Sequence, residues 1–146
     1  MSNIENLTQL IKDSEGCRLS AYQCPAGVWT IGYGCTGIDI KKGLVWTQEQ
    51  ADAELDILAL DALTKAMKAS PVLELEDTPS NKLIAIADFI FNLGIGNYKK
   101  STLKKYVDQK NWFAAAGEIK KWDKANGVTL KGLTIRRKKE ADLFLL

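Results

Sequence analysis

Apolar residues recur at helical spacing near the start of this chain. They are Ile4, Leu7, Leu10 and Ile11. Gly16 follows at the position typical of a C-cap glycine, so the pattern predicts a first helix that ends on or beside Glu15. The carboxylate of Glu15 would then lie at a helix C-terminus.

The pattern changes between Leu19 and Ile40, where aromatic and β-branched residues alternate with glycine and proline. Residues 28–31 and 38–40 are the clearest examples. Alternation of this kind, bounded by turn-forming residues, predicts a small antiparallel sheet with glycine-dependent turns.

Helical spacing returns after residue 46. Thr47 and Gln50 match a capping box before a long helix that runs through about Lys68. Ser80 is the predicted N-cap of a strongly apolar helix that ends at Gly94 or Gly96. Three short helices are predicted for residues 101–109, 111–122 and 133–145. One small sheet followed by many helices predicts an α+β fold that is mainly helical.

The length of 146 residues is enough for one domain with its own core. We expect a sheet-bearing lobe over about residues 17–60. The helical lobe would span about 61–146 and include the N-terminal helix, and the long helix would join the two lobes beside a cleft.

Cysteine and histidine counts exclude several chemistries. The chain has no histidine, which rules out a histidine-based catalytic triad. The spacing of Cys17, Cys24 and Cys35 indicates neither a structural zinc site nor a secreted disulfide framework. Cys17 reads as an ordinary core or boundary residue.

Charge is distributed unevenly. Residues 97–146 carry 13 Lys+Arg and 5 Asp+Glu, a net charge of +8, whereas residues 43–96 carry 3 and 9, a net charge of −6. The basic C-terminal third predicts attraction to an anionic polymer, either nucleic acid or cell wall, although a solvated helix face explains it equally well. Residues 1–6 show no basic or apolar targeting signal, so we expect cytoplasmic synthesis without stable membrane insertion.

Glu15, Cys24 and Thr30 are the candidate catalytic residues. Cleavage of a glycosidic bond needs an acid for the leaving oxygen and a second group that acts as nucleophile or activates water. The partial negative charge of a helix C-terminus favours the protonated carboxyl group of Glu15. Taken singly, each residue has a simpler interpretation. Glu15 would be an exposed helical glutamate, Cys24 a small buried apolar residue and Thr30 an ordinary strand residue. Their joint spacing favours a site.

The segment from Glu15 to Thr36 resembles the catalytic segment of the phage-type lysozymes, the muramidase endolysins of glycoside hydrolase family 24. The matching positions are Glu15, Gly16, Arg18, Leu19, Ala21, Tyr22, Gly27, Thr30, Ile31, Gly32, Tyr33, Gly34 and Thr36. The resemblance resumes at residues 91–94, 101–103, 114–122 and 132–133, and again at Arg136, Arg137 and Glu140. It covers nearly the whole chain in the expected order.

The resemblance implies a role for each site residue. Glu15 is expected to be the general acid, with Cys24 at the position of the base or water-positioning group. Thr30 is expected to hold the hydrolytic water. By the same resemblance, Phe91 and Asn92 line the cleft. Arg136 is the arginine that pairs with the catalytic acid, and Arg137 is the alternative in that role.

Two positions depart from the family pattern. Cys35 stands where the family usually has a histidine, so any contact of that histidine is absent or replaced. Cys24 stands where aspartate is commoner, and an unperturbed thiol, with a pKa near roughly 8.5, is mostly neutral at physiological pH. The reaction class is unaffected, but the role of position 24 is left open.

The resemblance implies an endolysin that hydrolyses the β-1,4 bond between N-acetylmuramic acid and N-acetylglucosamine in bacterial peptidoglycan. No cofactor is expected. The protein would be a monomer that stays in the host cytoplasm until a phage holin opens the inner membrane, and would then act on the wall in the periplasm. The alternatives are a lytic transglycosylase that uses Glu15 alone and a non-catalytic module that binds wall or nucleic acid. No nucleic-acid-binding motif is present, so nucleic acid is not an expected partner.

Overall fold

The computed structural model describes residues 2–146, and within this range the chain forms seven α-helices and two short antiparallel hairpins. The elements are α1 Asn3–Ser14, β1 Arg18–Gln23, β2 Trp29–Gly32, α2 Gln48–Ala69, α3 Ser80–Leu93, α4 Ile95–Lys100, α5 Thr102–Asp108, α6 Trp112–Lys120, β3 Lys124–Ala125, β4 Val128–Thr129 and α7 Lys131–Leu145. This order confirms the predicted, mainly helical α+β class. No helix in the described range is both long and apolar enough to cross a membrane.

Helix α1 places Glu15. It begins with a capping box, in which Ser2 and Glu5 each accept a backbone N–H from the other. It ends at Ser14, and the backbone N–H of Glu15 donates to Ile11 at 2.7 Å. The predicted helix end beside Glu15 is confirmed, because Glu15 is the C-cap, in an extended conformation with φ −104°, and Gly16 follows it directly. Gly16 does not have a positive φ, so it does not form the left-handed cap that glycine often makes at this position.

The first hairpin places Cys24 and Thr30. Strands β1 and β2 pair antiparallel with Tyr22 opposite Thr30, and the Cys24 backbone N–H donates to Val28 at 2.9 Å just beyond the strands. A register shift interrupts β1 between Arg18 and Tyr22.

A strand at residues 38–40 was predicted and is absent. These residues form a turn, and Ile38 is 97% exposed. Val45 occupies the position of a third strand, because it bridges to Ser20. An apolar alternation with no buried face to pack on does not form a strand here.

Helix α3 is the centre of the core. Its residues from Lys82 to Ile90 are all buried, and it packs against α1, α2 and α7. The capping box predicted for α2 is present, since Thr47 and Gln50 exchange hydrogen bonds of 2.8 and 3.1 Å. The predicted N-cap of α3 is wrong, because Ser80 is its first helical residue and Pro79 precedes it without a side-chain cap.

The C-terminal third contains two elements that the pattern missed. Helix α4 has six residues, too few to show a helical repeat. Hairpin β3–β4 turns through Asn126 and Gly127, both with positive φ, which is the turn that an Asn-Gly pair favours. Helices α5, α6 and α7 lie close to the predicted ranges.

Candidate active site

Glu15 and Arg136 form an ion pair between the end of α1 and the middle of α7. The Arg136 Nη1 donates to Glu15 Oε1 at 2.6 Å. The arginine side chain is 6% exposed and the glutamate side chain is 30% exposed, so the carboxylate remains open to solvent on one side. Of the two arginines considered from the sequence, Arg136 contacts Glu15, and Arg137 instead pairs with Glu140.

Asp88 holds Arg136 from the opposite side. Arg136 donates through Nε and Nη2 to the two carboxylate oxygens of Asp88, at 3.0 and 2.8 Å. Burial opposes the charge of Arg136, but Asp88 and Glu15 together raise its pKa above its ordinary value. Arg136 is therefore a permanent cation held between two carboxyl groups.

A cavity of about 350 Å³ opens beside Glu15. Its lining comprises Glu15, Gly34, Cys35, Thr36, Leu58, Asp61, Ala62, Lys65, Ile90, Phe91, Asn92, Gly94 and Ile95. The structure thus brings Glu15, Phe91 and Asn92 together at one cavity. The Phe91 ring lies 6.0 Å from the Arg136 guanidinium carbon. The Asn92 Oδ1 is buried and accepts no hydrogen bond from the described residues.

Cys24 and Thr30 lie together on the hairpin but do not line this cavity. The Thr30 hydroxyl donates to Val28 O at 3.0 Å. Hydrogen bonds with the backbone of Val28 and Ala26 lower the pKa of the Cys24 thiol, and the Thr30 side chain has a smaller effect in the same direction. The thiol is therefore more readily ionised than an isolated cysteine.

The turn after β2 brings the backbone close to Glu15. Gly34 has φ +90°, and a Cβ added there would lie 3.8 Å from Glu15 Oε2. The Tyr33 hydroxyl donates to Asp52 of α2 at 3.0 Å, and burial together with this hydrogen bond raises the pKa of Tyr33 to about 12. Tyr33 thereby fixes the turn against α2.

Cys35, at the position where the family usually has histidine, lines the cavity beside Glu15. Burial and the nearby charge of Glu54 raise the pKa of the Cys35 thiol, which favours its neutral form. All three cysteines are free thiols. Among residues 2–146, no three carboxylate or thiol side chains lie close enough together to hold a metal ion.

Sequence reasoning missed three polar residues of this region. Asp61 and Lys65 of α2 form an ion pair of 2.7 Å on the cavity wall, and their exposed helical positions carry no signal in the sequence. Asp88 did carry a signal, because it interrupts the apolar run of α3. A charged residue inside a buried helix needs a partner, and that partner is Arg136.

Comparison with known proteins identifies the family of this chain. Residues 12–140 match the family described as Phage lysozyme. This chain belongs to the phage lysozyme family. An endolysin from Acyrthosiphon pisum secondary endosymbiont phage 1 is 42% identical over 141 residues, which cover 92% of each chain. The family resemblance inferred from the residues is therefore confirmed.

Solved structures extend the similarity to the fold. The endolysin from Escherichia coli O157:H7 phage FAHEc1 superposes with a TM-score of 0.86 at 32% identity, over 99% of this chain and 94% of that one. The active form of P1 phage endolysin Lyz gives a TM-score of 0.83 at 30% identity, over 99% and 85%. The fold is lysozyme-like, and the chain is a glycosidase of the lysozyme type.

Proposed function

We propose that this phage lysozyme family member is an endolysin that hydrolyses the β-1,4 bond between N-acetylmuramic acid and N-acetylglucosamine in peptidoglycan. The observation that carries the proposal is the carboxyl group of Glu15. It stands at the wall of a cavity and is held from behind by Arg136. A fixed carboxyl group beside an open cavity has the geometry that a general acid requires.

The two oxygens of Glu15 have different surroundings. Oε1 accepts from Arg136 at 2.6 Å, whereas Oε2 lies toward Gly34 at the cavity wall. We assign the transferable proton to Oε2, because Oε1 is already occupied by a charged donor. Glu15 would donate this proton to the glycosidic oxygen as the bond to the leaving sugar breaks.

Cys24 and Thr30 are proposed to hold the attacking water. The lowered pKa of Cys24 increases the fraction of thiolate that is present to accept a proton, and the Thr30 hydroxyl oxygen can accept a hydrogen bond from water. The water would attack the anomeric carbon from the face opposite Glu15, with inversion of configuration. The substrate would extend from the cavity to the hairpin turn.

Phe91 and Asn92 are proposed to bind sugar. The buried and unpartnered Oδ1 of Asn92 would accept from an N-acetyl N–H or a hydroxyl group, which removes the cost of leaving it unpaired. The chain would act as one domain, with a sheet-bearing lobe over about 17–60 and a helical lobe over about 61–146 plus α1, and with the cleft between them.

The same proposal includes where and with what the protein acts. As a monomer, it would accumulate in the host cytoplasm, cross the inner membrane once a phage holin opens it, and act on peptidoglycan in the periplasm. The name endolysin, carried by its relatives, supports this route. No cofactor and no nucleic acid would be required.

Digestion of purified Gram-negative peptidoglycan tests the proposal directly. New reducing ends on N-acetylmuramic acid, identified by mass, are the expected products. Anhydro-muramic products without new reducing ends would indicate a lytic transglycosylase instead. Unchanged peptidoglycan, together with DNA binding that weakens steeply with salt, would favour a nucleic-acid-binding module.

A further inference from the structure

A set of buried charged side chains lies directly behind the catalytic ion pair. Arg136, Arg137, Asp88 and Glu140 are each at most 5% exposed. Arg136 connects Asp88 to Glu15, and Arg137 pairs with Glu140 through contacts of 2.7 and 2.8 Å. Burial of this many charges is costly, so their arrangement needs an account beyond simple stability.

The set contains two arginines and two carboxyl groups, and the surroundings of the two carboxyl groups differ. Asp88 and Glu140 each influence the ionisation of the other. Burial and the neighbouring Asp88 raise the pKa of Glu140 well above its ordinary value, although Arg137 acts in the opposite direction. Burial alone would raise the pKa of Asp88, but hydrogen bonds with Glu140 and Arg136 lower it. Burial therefore favours the neutral form of Glu140, and the guanidinium of Arg136 favours the ionised form of Asp88.

Among the described residues, Asp88 is then the buried carboxylate that contacts Arg136. We propose that Asp88 is a positioning residue for the reaction: it fixes the guanidinium of Arg136 and offsets part of its charge. Glu15 is thereby held in place at the wall of the cavity. The inference rests on the proposed role of Glu15 as the acid.

Other titratable groups near Glu15 and Arg136 do not position the Arg136 guanidinium as Asp88 does. The titratable groups that face Glu15 and Arg136 come from the surrounding elements. They are Asp88 of α3, Arg137 and Glu140 of α7, Cys35 after β2, and the Asp61–Lys65 pair of α2. The Asp61–Lys65 pair is neutral as a unit and half exposed. Cys35 favours its neutral form.

The test is the pH dependence of wall hydrolysis by Asp88→Asn. The amide keeps the size of the side chain and one acceptor for Arg136, but removes the charge. The uncompensated guanidinium then favours ionised Glu15, so the alkaline limb of the activity profile should move about one pH unit lower. The Michaelis constant for soluble peptidoglycan fragments should change little, because Asp88 does not touch substrate. Asp88→Ser, which also lacks the charge, should shift the limb in the same direction and provides the measurement if the Asn variant folds poorly.

Glu140→Gln is the matched control. Its amide N–H can donate to Asp88 as the protonated carboxyl does, so the alkaline limb should stay at its wild-type position. The folded wild type takes up a proton on Glu140 that the unfolded chain releases, so its stability falls as pH rises above the ordinary glutamate range. Glu140→Gln lacks that proton and should show a flatter dependence of unfolding temperature on pH.

Three results would overturn the inference. One is an unshifted alkaline limb in Asp88→Asn and Asp88→Ser, with activity reduced equally at every pH. The second is a shift in Glu140→Gln as large as that in Asp88→Asn. The third is a change confined to the Michaelis constant. Failure of the proposed function looks different, because Glu15→Gln would then retain activity whatever the Asp88 variants do.

Discussion

Replacement of Glu15 by glutamine separates catalysis from folding at this site. Glutamine has nearly the same size, and its Oε1 can still accept from the Arg136 Nη1 that lies 2.6 Å from the carboxylate. It has no acidic proton to deliver to the glycosidic oxygen. We therefore expect Glu15→Gln to abolish wall lysis while the protein remains folded.

The magnitudes follow from the surroundings of Glu15. Loss of general acid catalysis should lower the rate by about 10²- to 10⁴-fold. A thousandfold loss corresponds to about 4 kcal/mol of lost transition-state stabilisation. Because the side chain is 30% exposed, the weakened ion pair should change the free energy of unfolding by no more than about 1 kcal/mol. Arg136 keeps its two contacts with Asp88 in the variant.

The assay is the clearing of permeabilised Gram-negative cells, with circular dichroism and thermal unfolding measured on the same preparations. Glu76→Gln is the control, because Glu76 is an exposed loop residue that loses the same charge away from the cavity. The control should clear cells at the wild-type rate. If folded Glu15→Gln also clears cells at nearly that rate, Glu15 is not the acid and the mechanism is wrong.

Three further predictions concern the hairpin, the surface charge and the backbone. Cys24→Asp should stay active, whereas Cys24→Ala should lose most of its activity. Alkylation of Cys24 should have the same effect as the alanine change, once Cys17 and Cys35 have been replaced. Full activity of Cys24→Ala would show that Cys24 takes no part in the mechanism. Activity on walls should fall as added salt shortens the Debye length from roughly 30 to 8 Å, and a flat salt profile would show that the exposed lysines are only a solvated surface. Gly32→Ala should cost about 1–3 kcal/mol of stability, because its Cβ would lie 2.9 Å from Trp46 Cζ3 at φ +65°. Gly117→Ala, in α6 with no atom within 4 Å of the added Cβ, should instead gain about 0.5–1 kcal/mol. Thermal unfolding compares the two glycine variants, and equal effects would contradict the packing argument.

Features that depend on a few neighbouring residues could be predicted from the sequence. The capping box of Thr47 and Gln50 and the position of Glu15 at the end of α1 are examples. Each is decided by hydrogen bonds that span no more than four residues. The prediction for Ser80 was wrong for a related reason, because serine favours both the cap and the first helical turn and the chain began the helix one residue earlier than expected.

The surface charge was only partly visible in the sequence. Arg136, Arg137 and Glu140 of the basic C-terminal third are buried in ion pairs. Eleven lysines and four carboxylates of this segment remain outside the core, so its surface excess is seven positive charges. Composition counts charges, but burial decides which of them a distant polymer can sense.

The sequence alone determined the family, the class of fold and three of the residues that line the candidate site, namely Glu15, Phe91 and Asn92. Only the tertiary structure decided that Arg136 reaches Glu15, that Arg137 turns to Glu140, and that Asp88 stands behind the pair. The family resemblance favoured Arg136 over the adjacent Arg137, but neither local propensity nor spacing tells the two arginines apart. The choice depends on how α7 is rotated against α3, and the packing of the shared core sets that rotation across 121 residues of chain.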